Sequence, residues 1–179
     1  MLVPLPVQTN YNRYLTVAQN GMPATTSGWD IDTRICEDVS VGQTGIGFGL
    51  AVCQGGASDR AAILGAPSGR KFIGITAADI TLPNVIAGFT DVYQNTDNMA
   101  VLVRGDIWVI AADAVVAGGA VYFNPVTGVL GSSSSSETIK CENAMWMTSA
   151  TPGSIPYGNQ IVAPNLAVCR LGTATGNSE

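Results

Sequence analysis

No histidine occurs anywhere in this sequence, so the side chain that most often acts as a general base is missing. Triads of the Ser-His-Asp type and Cys-His pairs therefore cannot be assembled. A lone Ser or Cys nucleophile would need Lys71 or Lys140 as its base, because these are the only lysines of the chain. No spacing ties either lysine to a candidate nucleophile. The sequence predicts a protein that is not an enzyme and binds no cofactor.

The cysteines form no C-x-x-C pair, and no histidine is present to complete a zinc site with them. The sequence therefore predicts no metal site. The wide spacing of the cysteines permits disulfides without requiring them. Free thiols, buried as small apolar side chains, are the prediction for a reducing compartment. The four residues are Cys36, Cys53, Cys141 and Cys169.

Four short motifs imitate functional ones without their full pattern. GIGFG at 45–49 is followed by a strand-like run rather than the helix that a dinucleotide-binding loop opens. GAPSGRK at 65–71 lacks the spacing of a phosphate-binding loop. The acids of DIDTRICED at 30–38 lack the EF-hand spacing and are predicted to be solvated. RGD at 104–106 lies between apolar runs, which favours a turn or a strand-edge ion pair.

The composition predicts a surface that another protein covers. Charged residues make up 12% of the chain, against roughly 25% in an ordinary soluble domain. No apolar run approaches the ~18 residues of a membrane-spanning helix. The net charge is −5 and no basic run occurs, which argues against binding to nucleic acid or to an anionic membrane. Copies of the same chain or a larger assembly could cover the surface; a compact all-β monomer with a neutral surface is the alternative.

Short apolar runs separated by glycine and turn residues fill the chain from residue 31 onwards, without helical periodicity. GIGFGLAVCQGG, at 45–56, alternates apolar side chains with glycines, which predicts one strand with a bare second face. Its apolar positions are Ile46, Phe48, Leu50 and Val52.

Turn signals divide the rest of the chain. A turn or bulge at 104–106 is predicted to interrupt the apolar run 98–110, and Gly118-Gly119 to make a tight connection. NPVTG at 124–128 predicts a turn, and the serines at 132–136 predict a solvated loop. Pro164 predicts that the last strand lies at a sheet edge or is broken in two.

The pattern predicts an all-β fold, a small β-barrel or β-sandwich with an extended N-terminal arm and little helix. Pro4 and Pro6 disfavour regular helix at the start of the chain, and turn formers follow up to residue 30. We therefore assign residues 1–30 to the arm and residues 31–179 to a β-rich domain. The sequence leaves open whether the arm folds back over its own domain or reaches a neighbour.

The order KFIGIT…DNMAVLVRGDIWVIAADAVVAGGAVYFNPVTGVL resembles the capsid cement, or head decoration, proteins of tailed bacteriophages. The resemblance extends over roughly residues 45–130 and rests on short strand and turn motifs rather than on a catalytic signature. The positions that carry it are Phe72, Gly74, Ile75, Val101, Val103, Gly105, Ile107, Trp108, Val109, Ala114, Val115, Ala117, Gly118, Val121, Tyr122, Phe123, Thr127, Gly128 and Leu130.

The resemblance implies a structural virion protein that binds the outer face of a phage capsid, with residues 31–179 as its β-rich capsid-binding domain. Such a protein is expected to bridge subunits of the major capsid protein, as a homo-oligomer and specifically a trimer, and to stabilise the expanded head. It would be made in the cytoplasm of the host bacterium and then lie on the virion surface, with no nucleic-acid or membrane partner. The residues expected at the capsid or subunit interface are Leu2, Leu5, Tyr11, Tyr14, Trp108 and Tyr122.

A carbohydrate- or receptor-binding β-domain on a virion surface or fibre is the alternative function. That function would need aromatic side chains at strand spacing on one exposed surface. Trp108 and Tyr122 lie on strands that the sequence predicts to be adjacent, so they could form such a platform.

Overall fold

The computed structural model describes residues 18–25, 28–37, 45–64, 70–78, 92–151 and 165–172. These residues contain eleven β-strands and no helix, which confirms the all-β prediction. The strands are β1 (Asp30–Cys36), β2 (Ile46–Gly47), β3 (Ala51–Gln54), β4 (Ala61–Leu64), β5 (Phe72–Thr76), β6 (Val92–Tyr93), β7 (Asn98–Ile110), β8 (Ala120–Phe123), β9 (Leu130–Gly131), β10 (Ile139–Trp146) and β11 (Leu166–Leu171).

Five of the strands close into a small barrel, so the barrel of the two predicted architectures is the one present. The order around the barrel is β1, β4, β3, β5 and β7, and β7 pairs again with β1. The β1–β4 pair is parallel, and the other four pairs are antiparallel. Ring closure pairs strands that are far apart in the chain, which only the folded state can specify.

The long strand β7 belongs to the barrel and to a second sheet. Its first half pairs with β1 and β5, and its second half pairs with β11. The second sheet continues from β11 through β10 and β8 to β9. It curls so far that the amide of Ala112, just after β7, donates to the carbonyl of Leu130 on β9 at 2.8 Å. β7 therefore fixes the two halves of the molecule relative to each other.

Two buried clusters form the core. One contains Val52, Tyr93 and Val101 among the barrel strands, and the Tyr93 hydroxyl donates to the carbonyl of Ala77 at 2.7 Å. The larger cluster joins the barrel strands to the second sheet and includes Phe123 and Trp146. All four cysteines are buried and free, which confirms the prediction for them.

The predicted single strand within 45–56 is wrong, because a turn at Phe48 and Gly49 divides it into β2 and β3. Gly49 has φ +69°, a conformation that glycine adopts without the steric cost of a side chain. The Thr76 hydroxyl accepts from the Leu50 amide at 2.9 Å and donates to the Gly47 carbonyl at 2.7 Å, which holds the turn. The apolar side chains of the segment still meet in one cluster.

The RGD segment lies within a continuous strand, directly after a bulge at Val103, and is not a turn. Asp30 pairs with Arg104, whereas Ile31 pairs with Leu102, so Val103 is the extra residue of β7. Gly105 has φ +121°, and a Cβ there would lie 2.6 Å from the Cβ of Trp29. The bulge thus brings β7 against the chain that enters β1.

Two of the predicted loops are present, but one of them is more ordered than expected. The side chain of Asn124 accepts from the amides of Val126 and Thr127, which confirms the turn at 124–128. The serine loop is not simply solvated. The carboxylate of Asp113 accepts from the amides of Ser132 and Ser133 at 2.7 and 2.9 Å.

The last strand does not lie at a sheet edge. β11 pairs with β7 on one side and with β10 on the other, so the prediction of an edge strand is wrong. The prediction rested on Pro164, which lies outside the described residues. The strand proper begins after it, at Leu166, where every amide can join a ladder.

The described end of the predicted arm lies along its own domain. The amide of Gly21 donates to the carbonyl of Trp108 at 2.7 Å, and the amide of Trp108 donates to the carbonyl of Met22 at 2.8 Å. The amide of Ala24 donates to the carbonyl of Asp106. Residues 18–25 therefore lie alongside the second half of β7, on the side opposite β11.

Candidate interaction surface

Strand β1 reverses the usual placement of polar and apolar side chains. Its apolar residues Ile31 and Ile35 are 37% and 39% exposed, and Trp29 just before it is 40% exposed. Asp32 and Arg34 point to the opposite face, are more shielded, and form an ion pair of 2.8 Å. Large apolar side chains on the exposed face of a strand are typical of a surface that another protein covers. We call Trp29, Ile31, Thr33 and Ile35 the β1 stripe.

The backbone edge of β1 is open along most of its length. β4 pairs with Ile35 and Cys36 alone, so the earlier residues of β1 have one strand partner, β7, within the described part of the chain. The guanidinium of Arg60 donates to the carbonyl of Thr33 at 3.0 Å. An open edge beside an apolar stripe can bind an added strand through main-chain hydrogen bonds and side-chain contacts together.

The sequence WDIDTRIC carries the signal for this stripe, because apolar and charged residues alternate in it with period two. Sequence reasoning treated its acids as solvated and missed the stripe. Asp30 is 60% exposed, in agreement with that prediction, and Asp32 is partly shielded and bonded to Arg34. Alternation alone cannot say which face of a strand lies inward, and here the polar face is the more shielded one at Asp32 and Arg34, while Asp30 on that face stays exposed.

The predicted interface residues are not brought together. Trp108 on β7 and Tyr122 on β8 are both half-buried, and β11 and β10 lie between their strands. The prediction that they lie on adjacent strands is therefore wrong, and the aromatic platform on which a carbohydrate-binding function depended is not formed by neighbouring strands. Leu2, Leu5, Tyr11 and Tyr14 lie outside the described residues.

A groove of about 430 Å³ lies where the barrel meets the second sheet. The chain entering β5, the bulged part of β7, the start of β10 and the end of β11 form its walls. We call it the lysine groove, because Lys71 and Lys140 both line it. The other lining residues are Phe72, Ile73, Val103, Ile139, Glu142, Asn143, Leu171 and Gly172.

The carboxylates of Asp106 and Asp113 stabilise the fold of the second sheet and its neighbouring loop. The guanidinium of Arg170 donates to both carboxylate oxygens of Asp106, at 2.7 and 2.8 Å, and this contact raises the pKa of Arg170. The pair joins β11 to β7. Burial alone would raise the pKa of Asp113, but hydrogen bonds from Ser133 and Ser132 outweigh it and lower that pKa. Each carboxylate is occupied by its structural partners.

The described residues assemble no metal or membrane site. Within them, no group of three or more His, Cys, Asp or Glu side chains could hold a metal ion. No helix long and apolar enough to cross a membrane occurs in the described part of the chain. What the fold presents is a small barrel fused to a second sheet, with an exposed apolar stripe and a groove. These features define an all-β protein built for contact with another protein.

Comparison with known proteins places the chain in a family. The sequence model of the family described as "Structural cement protein (E217 gp24/Pam3 gp6)" matches residues 7–162. The chain therefore belongs to the phage structural cement protein family, and its role in the phage particle is structural. No curated protein matches the sequence.

Solved structures show the same fold. Five chains match, among them a chain of a structure described as "The capsid of Myoviridae Phage XM1". This chain and that one superpose with a TM-score of 0.64 at 14% identity, over 94% of this chain and 99% of the other. The fold is thus kept at an identity where few individual side chains are shared.

Proposed function

We propose that the protein binds the outer face of a phage capsid and bridges neighbouring subunits of the major capsid protein, which stabilises the expanded head. The single observation that carries this proposal is the reversed pattern of β1, whose two isoleucines face out while Asp32 and Arg34 pair on the more shielded face. Family membership supports a cementing role, and the solved neighbour comes from a phage capsid.

Binding at the β1 stripe removes water mainly from apolar side chains. Covering the β1 stripe removes apolar area from water, which is favourable at about 25 cal/mol per Å². No charged side chain of the stripe has to be desolvated, because Asp32 and Arg34 already bond each other on the other face. The open edge of β1 adds main-chain donors and acceptors that fix the register of a partner strand.

The arm is proposed to contribute to the same contact. Residues 18–25 lie along their own β7, so a reach to a neighbour has to start before residue 18. Burial of Leu2, Leu5, Tyr11 and Tyr14 against an adjacent subunit, or addition of a strand at an open edge such as that of β1, would join neighbours without a new domain. A homo-oligomer, specifically a trimer, is the assembly proposed for the bound state.

The route to the capsid is part of the proposal. Synthesis in the cytoplasm of the host bacterium suits a chain with four buried free thiols, since thiols stay reduced there. The folded protein would then add to the surface of the assembled shell. No nucleic acid or membrane takes part in this route.

The test is reconstitution. Expanded capsids assembled without the protein are mixed with the purified protein, and bound copies are located by cryo-electron microscopy and counted by mass. We expect saturable binding at subunit boundaries and a higher temperature of capsid disruption. Capsids that take up no protein, or that disrupt at an unchanged temperature when saturated, would refute the proposed function.

A deletion tests the arm separately. Removal of residues 1–17 leaves the pairing of residues 18–25 with β7 in place. We expect the shortened chain to fold, with an unchanged urea midpoint, and to bind capsids more weakly. Full occupancy by the shortened chain would remove the arm from the proposal and leave the β1 stripe.

A further inference from the structure

The lysine groove concentrates the lysines of an acidic protein. The chain has a net charge of −5 and two lysines, and both of them line this one groove. They come from distant parts of the chain, Lys71 just before β5 and Lys140 on β10. The fold, and not local sequence, brings them to the same groove.

The two lysines differ from the arginines in what they bond. Within the described residues, every arginine donates to a carboxylate or a carbonyl: Arg34, Arg60, Arg70, Arg104 and Arg170. The ammonium groups of Lys71 and Lys140 have no ion pair or hydrogen bond to any described residue. They are exposed and available to a partner.

The walls of the groove between the lysines are mostly apolar. Phe72, Ile73 and Val103 are half-buried there, and Ile139 is exposed. Glu142 also lines the groove, so the charged side chains lining it sum to +1 within a chain of net charge −5. The groove therefore offers apolar area for one side chain and a positive rim for a carboxylate.

We propose that the lysine groove receives an extended acidic segment of the capsid protein, and this inference rests on the proposed function. A large apolar side chain of that segment lies against Phe72, Val103 and Ile139. A neighbouring carboxylate binds the ammonium groups of Lys71 and Lys140. The apolar contact supplies most of the affinity, and the charges select an acidic partner and orient it. In this arrangement the β1 stripe supplies buried apolar area, and the lysine groove recognises a particular segment of the capsid protein.

Charge reversal tests the groove. The double variant Lys71→Glu/Lys140→Glu is expected to bind expanded capsids about tenfold more weakly, and added salt should no longer weaken its binding at this site, because screening then reduces a repulsion instead of an attraction. Lys71→Arg/Lys140→Arg keeps the charges and should bind as the wild type does. Ser134→Glu/Ser136→Glu adds two negative charges to the exposed serine loop, half the change in net charge that the reversal makes, and should leave binding unchanged, which controls for acid added away from the groove. Urea midpoints confirm that each variant is folded.

Zero-length crosslinking gives a second and independent readout. A carbodiimide joins an amine to a carboxylate that touches it, and this chain has only two lysine amines. On the protein–capsid complex we expect crosslinked peptides that join Lys71 or Lys140 to an Asp or Glu of the capsid protein. The Lys71→Arg/Lys140→Arg variant should bind and lose these crosslinks.

The outcomes separate the two proposals. If the wild type binds capsids while the charge-reversed variant binds equally well, or if the bound wild type gives no lysine crosslink, the groove is not the site and the proposed function stands. If the wild type binds no capsid, both proposals are overturned.

Discussion

Replacing the two isoleucines of the β1 stripe should weaken capsid binding without unfolding the protein. Ile31 and Ile35 are 37% and 39% exposed, so roughly two-fifths of each side chain is left for a partner to bury. Full burial of such a side chain contributes about 1.5–3 kcal/mol. The exposed share of the pair is therefore worth about 1–2 kcal/mol, or roughly a 5- to 30-fold change in Kd.

The double variant Ile31→Thr/Ile35→Thr is suited to this test because threonine is also β-branched and keeps the strand preference. The free energy of unfolding should change by no more than about 0.5 kcal/mol, since surface substitutions of this kind rarely exceed that value. The Kd for expanded capsids is measured by titration, and the urea midpoint is measured on the same samples.

A matched control lies on a different part of the molecule. Val126 is 70% exposed in the turn between β8 and β9, and Val126→Thr makes the same kind of change there, an exposed apolar group replaced by a hydroxyl. Its capsid affinity should equal that of the wild type. The reasoning about the β1 stripe is refuted if the Ile31→Thr/Ile35→Thr variant, folded as the wild type is, binds within about twofold of it.

Three further outcomes test the fold. Asp106→Ala removes both charge-assisted hydrogen bonds from Arg170 and should lower the free energy of unfolding in urea by about 1–3 kcal/mol. Asp30→Ala removes an exposed 3.4 Å ion pair and should lower it by no more than about 0.5 kcal/mol. Equal costs would contradict the structural role given to the Asp106–Arg170 pair. Gly74→Ala should destabilise the protein by about 1–3 kcal/mol or more, because a Cβ at residue 74 would clash with a backbone carbonyl of β7. An unchanged urea midpoint would show that β5 and β7 are not so close. Burial raises the pKa of Cys53 to about 11, and all four cysteines are buried. A thiol reagent at about pH 8 should therefore label none of them in the native protein and all of them after unfolding. Rapid labelling of the native protein would place a thiol at the surface.

Local sequence is enough to predict features that depend on a few neighbouring residues. The turn at 124–128 follows from Asn124, Pro125 and Gly128, because an Asn side chain bonds the amides that follow it. The absence of C-x-x-C pairs and of histidine argues against a zinc site, and free buried thiols are what a reducing compartment predicts for the four cysteines. The all-β class follows from short apolar runs without helical periodicity.

Features that depend on distant partners escape this reasoning. Nothing between residues 45 and 54 reveals that the hydroxyl of Thr76 will stabilise a turn at Gly49. The RGD segment reads locally as an interruption, yet β7 continues through it because partners on both sides hold its two halves. Pairing of β11 on both sides likewise depends on β7, which lies far from it in the chain, as well as on the preceding strand β10.

For the interaction surface, the sequence by itself determined that the chain has little charge, no acid–base set built on histidine, and an alternating segment, WDIDTRIC, with one apolar and one charged face. Only the tertiary structure decided that the apolar face of that segment points outwards and that Lys71 and Lys140 line the same groove. The physical reason is that a strand's period of two places alternate side chains on opposite faces but does not determine which face is buried. Closure of the barrel through β1 and β7 assigns one face to the interior, and that closure joins residues that no local pattern connects.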